Sequence, residues 1–282
     1  MELRSCSVVI PTRNRPELLE RCLSSIPTGI AHAIVVDDNS NARMRERNEA
    51  VCRKFKEITY LSNSERRGAG YSRNLGATNA LGEWLCFIDD DDQFHWAYFS
   101  RISALLSAKL EILASLPNVV GGKARMCKAV SLHELQGTNC AGGVSGLFIH
   151  KSLFRKVGGF DERFPSMQDW DLWLRLIERN ALYYSGVAGV IYDSHSEQKI
   201  THNLSAKYRG LRRLYFKHFN LWTPSARQQH LLRLWVLRRL LTGRIGMFGN
   251  WLASGFKLQA LYYTYRWRCF ASSQTSSAKQ IL

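Results

Sequence analysis

The sequence predicts an α/β fold, a mostly parallel sheet covered on both faces by helices. Three observations carry this. Short β-rich runs at residues 7–10, 33–36, 58–61 and 84–88 read as continuous apolar strands, as strands buried on both faces do. Helical stretches separate them. Polar groups follow the first, second and fourth runs directly: Thr12 and Asn14, then Asp37 and Asp38, then Asp89 to Asp92. Ligands of such sheets bind outside the carboxyl ends of the strands, so all three groups are expected on one edge, around a nucleotide-sized cleft.

Taken in order, the first strand leads into a helix over 16–26, opened by Asn14 with Pro16 in its first turn. The second strand stops at Asp37-Asp38-Asn39-Ser40, and a charged helix runs on to about Lys56. The third strand precedes a helix over 70–80, and the fourth ends in the acidic block. Past Gly121-Gly122 the pattern becomes strands and glycine-rich turns, then a helix over 151–157. A further helix over 169–180 presents Leu172, Leu176 and Ile177 at helical spacing, and strands at 182–184 and 187–192 close the region. Gly68-Ala69-Gly70 is not a dinucleotide fingerprint, because Arg73 stands where Gly or Ala is needed and no strand runs into it.

Four consecutive carboxylates after a strand exceed what a turn requires. Packed together they repel and raise one another's pKa, and a hard divalent cation with oxygen ligands relieves this. A solvated acidic turn is the alternative. The seven cysteines include no C-x-x-C pair and are odd in number, which suggests neither a zinc site nor a disulfide framework and fits a reducing compartment. The first apolar run is too short for a signal peptide, so secretion is not expected.

The net charge of +16 is unevenly placed. Residues 198–282 carry fifteen Lys or Arg and no acid, while the remaining bases nearly balance all 23 acids. Such a break divides the chain into a folding or catalytic unit, 1–198, and a basic helical extension, 199–282, for an anionic partner.

Six motifs, in order along residues 5–200, resemble the family 2 glycosyltransferases of the GT-A fold. They are Val8-Val9-Ile10-Pro11-Thr12-Arg13-Asn14-Arg15, Val35-Val36-Asp37-Asp38-Asn39-Ser40, Ser72-Arg73-Asn74-Leu75-Gly76-Ala77, Gly82 to Asp92, Gly158-Gly159-Phe160-Asp161-Glu162, and Gln168-Asp169-Trp170-Asp171-Leu172-Trp173. The resemblance implies a Rossmann-like nucleotide-binding mixed sheet flanked by helices, with a sugar nucleotide across the strand ends. Pro11, Thr12, Asn14, Asp38, Arg73, Asp89 and Asp90 match the donor-binding positions. Asp38 would accept the imide N–H of uracil, Arg73 would reach the nucleotide, and Asp89 and Asp91 match the D-x-D pair. Asp91 would be the direct ligand of Mn²⁺ or Mg²⁺, Asp89 a ribose or metal partner, and His195 a last metal or phosphate contact. Asp169 matches the base that opens the family's acidic helix, with Gln168 where Glu is common. Each has a plainer alternative: helix capping for Asp38, Asp169 and Asp171, a surface role for Arg73, a structural one for His195. Asp171 is also a candidate donor-sugar ligand. The Q-x-x-R-W element of processive synthases is absent, so one sugar per turnover is implied.

The extension mixes basic and aromatic residues. On a helical projection of 207–222, Tyr208, Leu211, Tyr215, Phe219 and Trp222 share one side, and Arg209, Arg212, Arg213 and Lys217 fall largely on the other. That suits a helix lying in an anionic membrane interface, and packing on the catalytic domain is the alternative. The implied enzyme is cytoplasmic, peripheral on the inner face of the plasma membrane, and moves one sugar from a UDP sugar to a lipid-linked saccharide or lipopolysaccharide. No nucleic acid is expected. A nucleic-acid-binding protein using the basic tail, a catalytically silent GT-A-like subunit and a sugar nucleotidyltransferase are the rival readings.

Overall fold

The computed structural model describes residues 5–30, 32–109, 114–120, 126–192 and 203–242. The chain divides into two compact units, Met1–Leu221 and Trp222–Leu282. The elements of the first unit are β1 (Cys6–Thr12), α1 (Pro16–Ser24), β2 (His32–Asp37), α2 (Ala42–Cys52), β3 (Ile58–Ser62), α3 (Ala69–Asn79), β4 (Trp84–Phe87), β5 (Gln93–Phe94), α4 (Tyr98–Ala108), β6 (Ala114–Val119), β7 (Lys128–Ala129), α5 (Leu132–Leu135), β8 (Leu147–His150), α6 (Lys151–Lys156), α7 (Gln168–Ile177), β9 (Tyr183–Ile191) and α8 (Leu204–Lys217).

Among the described residues, nine strands form one sheet in the order β3-β2-β1-β4-β8-β6-β9-β5, with β7 also paired to β9. The half made by β1 to β4 is parallel throughout. Of its strands β1, β2 and β4 are buried, which is why they read as continuous apolar runs, whereas the edge strand β3 is half-buried. Beyond β4 the sheet is mixed: β8 is antiparallel to β4 and β6, while β6 and β9 run parallel. The two strands expected at 182–184 and 187–192 are one, β9. Its register against β6 shifts around Pro117, which has no N–H to give the ladder, and Gly186 on β9 takes a positive φ of 75°.

One face of the sheet packs Val8, Ile10 and Phe148 against Leu19 and Leu23 of α1 and Tyr98, Phe99 and Ile102 of α4. Each such side chain contributes roughly 1.5–3 kcal/mol on full burial. On the other face α3 comes so close that a Cβ on Gly76 would lie 2.4 Å from Cγ1 of Val9. Phe87 meets Phe160 edge-on there, at 5.4 Å between ring centroids.

Two expectations are corrected here. Asn14 does not cap α1, since Arg15 holds the N-cap position and caps with no side-chain bond. Asn14 instead has φ 57° and laces the loops after β1 and β2: its amide N–H donates to Ser40 Oγ at 2.7 Å and its Oδ1 accepts from Asn41 N at 2.9 Å. Along α8 the apolar side of the helix over 207–222 is covered by protein and not left free for a membrane, with Phe219 the exposed exception at 38%. In α8, Ala206, Gly210, Leu211, Leu214 and Tyr215 are buried in the first unit, and a Cβ on Gly210 would sit 2.5 Å from the carbonyl oxygen of Ser166. The compositional break at 198 therefore precedes the end of the compact unit at Leu221. In the second unit, α9 (Pro224–Thr242) exposes Leu240 and Leu241, and the rings of Trp222 and His230 lie 4.5 Å apart.

Candidate active site

The site begins where β1 ends. Pro11 is buried in β1 opposite Val36, so it shapes the strand end from within the sheet. It is tolerated in a central strand because the β1–β4 ladder stops at Val9 and Phe87. One residue on, the Thr12 hydroxyl donates to Asp90 Oδ2 at 2.7 Å, and Arg15 donates to Asp90 Oδ1 at 3.0 Å and Asp91 Oδ2 at 3.5 Å. Arg21 of α1 donates to the carbonyl of Asp91 at 3.0 Å. The residues after β1 and α1 thus hold the acidic turn after β4 in place.

The turn itself is ordered by Ser145. Its hydroxyl accepts from the Asp89 amide at 3.0 Å and donates to Asp92 Oδ2 at 2.6 Å. Asp90 is buried, which pushes its carboxyl up to about 6 against the opposing pull of Arg15 and Thr12. Within the turn, Asp89 is the most open of the salt-bridged carboxylates, its side chain 38% exposed, against 13% for Asp91. Arg73 of α3, itself buried, pairs with Asp89 Oδ1 and donates to Gln168 Oε1 at 3.3 Å, so it ties the end of β4 to the start of α7.

The groups after β2 have different tasks. Asp37 is fully buried and accepts from Ser40 N, Asn48 Nδ2 and Tyr60 Oη at 2.6–2.8 Å, and Asn41, not Asp38, caps α2. Asp38 Oδ1 accepts from Arg67 N at 2.7 Å and Asn63 Nδ2 at 3.1 Å, and Oδ2 accepts from Gly68 N at 2.9 Å. Most of its capacity goes to the loop before α3, whose Gly68 takes φ 88°.

Asp169 lies in the first turn of α7, after Met167 in the left-handed region with φ 67°. It is half-buried. Its Oδ1 accepts from Trp170 N and its Oδ2 from Asn139 Nδ2, both at 2.8 Å, leaving each oxygen a second lone pair. Burial raises its pKa to about 6, with Asp89 adding to the rise and Arg73 opposing it. Asn139 also donates to the Gly142 carbonyl at 3.0 Å, and the indoles of Trp170 and Trp173 anchor α7 to Leu135 and Gly142. Burial also pushes the Tyr192 hydroxyl up, and the charges of Asp92, Asp89 and Asp169 add to it, so Tyr192 borders the same cleft.

A sequence model described as Glycosyl transferase family 2 matches residues 7–121, and one described as Glycosyltransferase like family 2 matches 128–221. The chain belongs to glycosyltransferase family 2. It is 27% identical over 194 residues to an uncharacterized glycosyltransferase of Haemophilus influenzae, covering 61% of this chain and 62% of that one. It is 26% identical over 258 residues to the pre-mycofactocin glycosyltransferase of Mycobacterium tuberculosis, covering 85% and 54%. To the putative colanic acid biosynthesis glycosyl transferase WcaA of Escherichia coli it is 25% identical over 251 residues, covering 82% and 88%. The chain thus spans just over half to about three-fifths of the length of the first two relatives. Staphylococcus aureus TarS 1–349 in complex with UDP-GlcNAc superposes with a TM-score of 0.62 at 18% identity, covering 84% of this chain and 73% of that one. At that identity the likeness establishes the GT-A fold.

For a family 2 chain, the residues present fit a hard divalent cation. Asp89, Asp91 and Asp92 can each bring one oxygen within 4.8 Å of the others, an all-carboxylate donor set suited to Mg²⁺ or Mn²⁺. Asp92, the last residue of the acidic block, stands with Asp89 and Asp91 as a third candidate ligand. His195 lies outside the described residues. Asp171 is corrected: it is fully buried and ringed by Arg175, Lys217 and His218 at 2.7–2.8 Å, so it faces no sugar. Arg15, Arg21, Asn139 and Ser145 received no role from sequence. Arg21 reaches out from α1, the other three act across loops that carry no periodicity, and only Arg15 lay inside a motif.

Proposed function

We propose that the chain is an inverting, metal-dependent glycosyltransferase that moves one sugar from a UDP sugar to a lipid-linked saccharide or lipopolysaccharide-type acceptor. The observation that carries this is the Arg73 bridge, which sets the carboxylate cluster of Asp89, Asp91 and Asp92 beside the α7 turn that bears Asp169. Arg73 Nε and Asn139 Oδ1 are both buried with no hydrogen-bond partner among the described residues, a cost that a bound donor and acceptor would offset.

A divalent cation held by Asp91 with Asp89 and Asp92 would neutralise the charge that develops on the departing diphosphate. Arg73 and Thr12 line the nucleotide's side of the cleft and fix the turn that holds those carboxylates. Asp169 accepts the proton of the acceptor hydroxyl while that oxygen attacks the anomeric carbon and the nucleoside diphosphate leaves from the opposite face. A base raised to about 6 is ionised at neutral pH and stronger than an ordinary carboxylate. The Asn139 bond holds it in one orientation.

The acceptor class rests on the basic extension. No helix among the described residues is long and apolar enough to cross a membrane. We place association with an anionic inner membrane face on the basic second unit and on the exposed basic side of α8. Calorimetric titration of UDP with Mn²⁺ tests the donor reading: binding is expected in the native protein and lost in Asp91→Ala. Turnover is expected to vanish in Asp169→Asn with UDP binding kept. Unchanged turnover there removes Asp169 from the role of base.

A further inference from the structure

Against α8 lies an open groove of about 810 Å³, lined by Arg163, Pro165, Arg209, Arg212, Arg213, Phe216 and Lys217. Its cations come from two elements. Arg209, Arg212, Arg213 and Lys217 stand at three- and four-residue spacing on one face of α8, an arrangement in which like charges repel and weaken the helix. Arg163 faces them from the loop before α7.

Two carboxylates partly balance this set. Asp161 accepts from Arg163 Nε at 2.8 Å and Lys217 Nζ at 2.9 Å, with Arg213 Nε at 4.0 Å, and the buried Asp171 pairs with Lys217, Arg175 and His218. These pairs pin Arg163, Arg213 and Lys217 in position. They leave a surplus of positive charge, because Arg209 and Arg212 meet no carboxylate among the described residues. The Arg212 guanidinium lies over the Phe216 ring, 5.8 Å from its centroid, and Phe216 is 63% exposed, so the groove also has an apolar wall.

We infer that this groove is a binding site for a phosphate-bearing anion, the phosphate or diphosphate end of the acceptor. The identification as acceptor rests on the function proposed above, whereas the anion site rests on the groove alone. Several guanidinium forks around one concavity match the oxygens of a group carrying more than one negative charge, and a single carboxylate would leave most of them unused. Phe216 and Pro165 give an adjoining apolar or saccharide segment a surface to lie on. The groove is also within reach of the chemistry. Pro165 is four residues before Asp169, so their Cα atoms lie at most ~14 Å apart, a span comparable with a short saccharide.

The test titrates the full chain with inorganic pyrophosphate in EDTA, where the carboxylate cleft has no cation with which to recruit it. Native protein and Asp91→Ala are expected to bind alike, with a steep fall as salt rises. The exposed pair Arg209→Gln/Arg212→Gln is expected to bind at least tenfold more weakly. In a second arm, sedimentation with phosphatidylglycerol vesicles against phosphatidylcholine vesicles distinguishes a lipid headgroup from a free phosphate. Loss in the double variant in either arm supports the site and identifies its source. Equal behaviour of native and double variant in both arms, or no binding by the native protein in either, overturns it. UDP binding with Mn²⁺ is expected to be unchanged in the double variant. If the native protein fails to bind UDP, the donor assignment falls and the groove result still stands.

Discussion

Asp169 meets two opposing demands, since burial makes it a better base and also makes its charged form costly to fold around. Its carboxyl, at about 6 in the fold, sits above the ordinary unfolded value near 3.9. The folded protein therefore holds that proton more tightly, and stability falls as pH rises from about 4 to about 6, the loss being complete above that. After discounting for partial solvent exposure the loss is on the order of 1–2 kcal/mol. Asp169→Asn is thus expected to be inactive yet to melt a few degrees higher than native at pH 7.5, with the difference gone near pH 4, and calorimetric scans at the two pH values check it. In the native enzyme the acid limb of kcat/KM should fall near pH 6. The acidic block after a strand pointed to Asp89 and Asp91, and the family resemblance pointed to Arg73 and Asp169. Asn139 and Ser145 were not legible, because their worth comes from partners 30 and 53 residues away in loops without period. Asp38 was legible as an acid at a strand end, but not as the acceptor of the Arg67 and Gly68 amides.

At the scale of elements, α8 shows what an amphipathic pattern establishes and what it leaves open. The projection identified Leu211 and Tyr215 as one apolar side, and both are buried. Periodicity tells that a face is covered and is silent about whether lipid or protein covers it. The deciding signals are the carboxylates of Asp161 and Asp171 that Lys217 of α8 meets in the fold, which no helical projection contains. Burial alone would raise the carboxyl of Asp171, but the His218 hydrogen bond and the charges of Arg175 and Lys217 outweigh it and hold the group below its ordinary value. Asp161 is likewise held low by Arg163 and Lys217 against its burial. With both pKa values depressed, their contribution is present above about pH 4 and is lost as pH falls below that. Removing Asp171 at neutral pH leaves Lys217, Arg175 and His218 clustered around a vacated buried position. Asp171→Ala is therefore expected to cost about 3–5 kcal/mol in urea denaturation and to open the segment around α8 to limited proteolysis. Arg209→Gln, on the same helix but without a carboxylate partner, should stay within about 0.5 kcal/mol of native.

Across the whole first unit, the sheet's two halves differ in how they are written. The parallel half is legible because β1, β2 and β4 are apolar and largely buried, and β1, β2 and β3 are each followed by a helix. The mixed half is not, since β5 and β7 are two residues each and β6 carries Pro117 in its midst. The site draws on both: Thr12, Arg73 and the acidic turn come from the first half, Asn139, Ser145 and Asp169 from the second. If the first half holds the donor and the second the acceptor's proton, the two functions separate in one measurement. A ligand that binds only the folded state at 100 times its Kd adds about 2.7 kcal/mol, which for a unit of this size raises Tm by roughly 5–10 °C. UDP with Mn²⁺ at that level is expected to raise the melting temperature of the native protein and of Asp169→Asn equally. Asp91→Ala should show no rise. A full rise in Asp91→Ala would shift the cation to Asp89 and Asp92, while a rise lost in Asp169→Asn would make Asp169 part of the donor's own binding site and leave the proton without its acceptor.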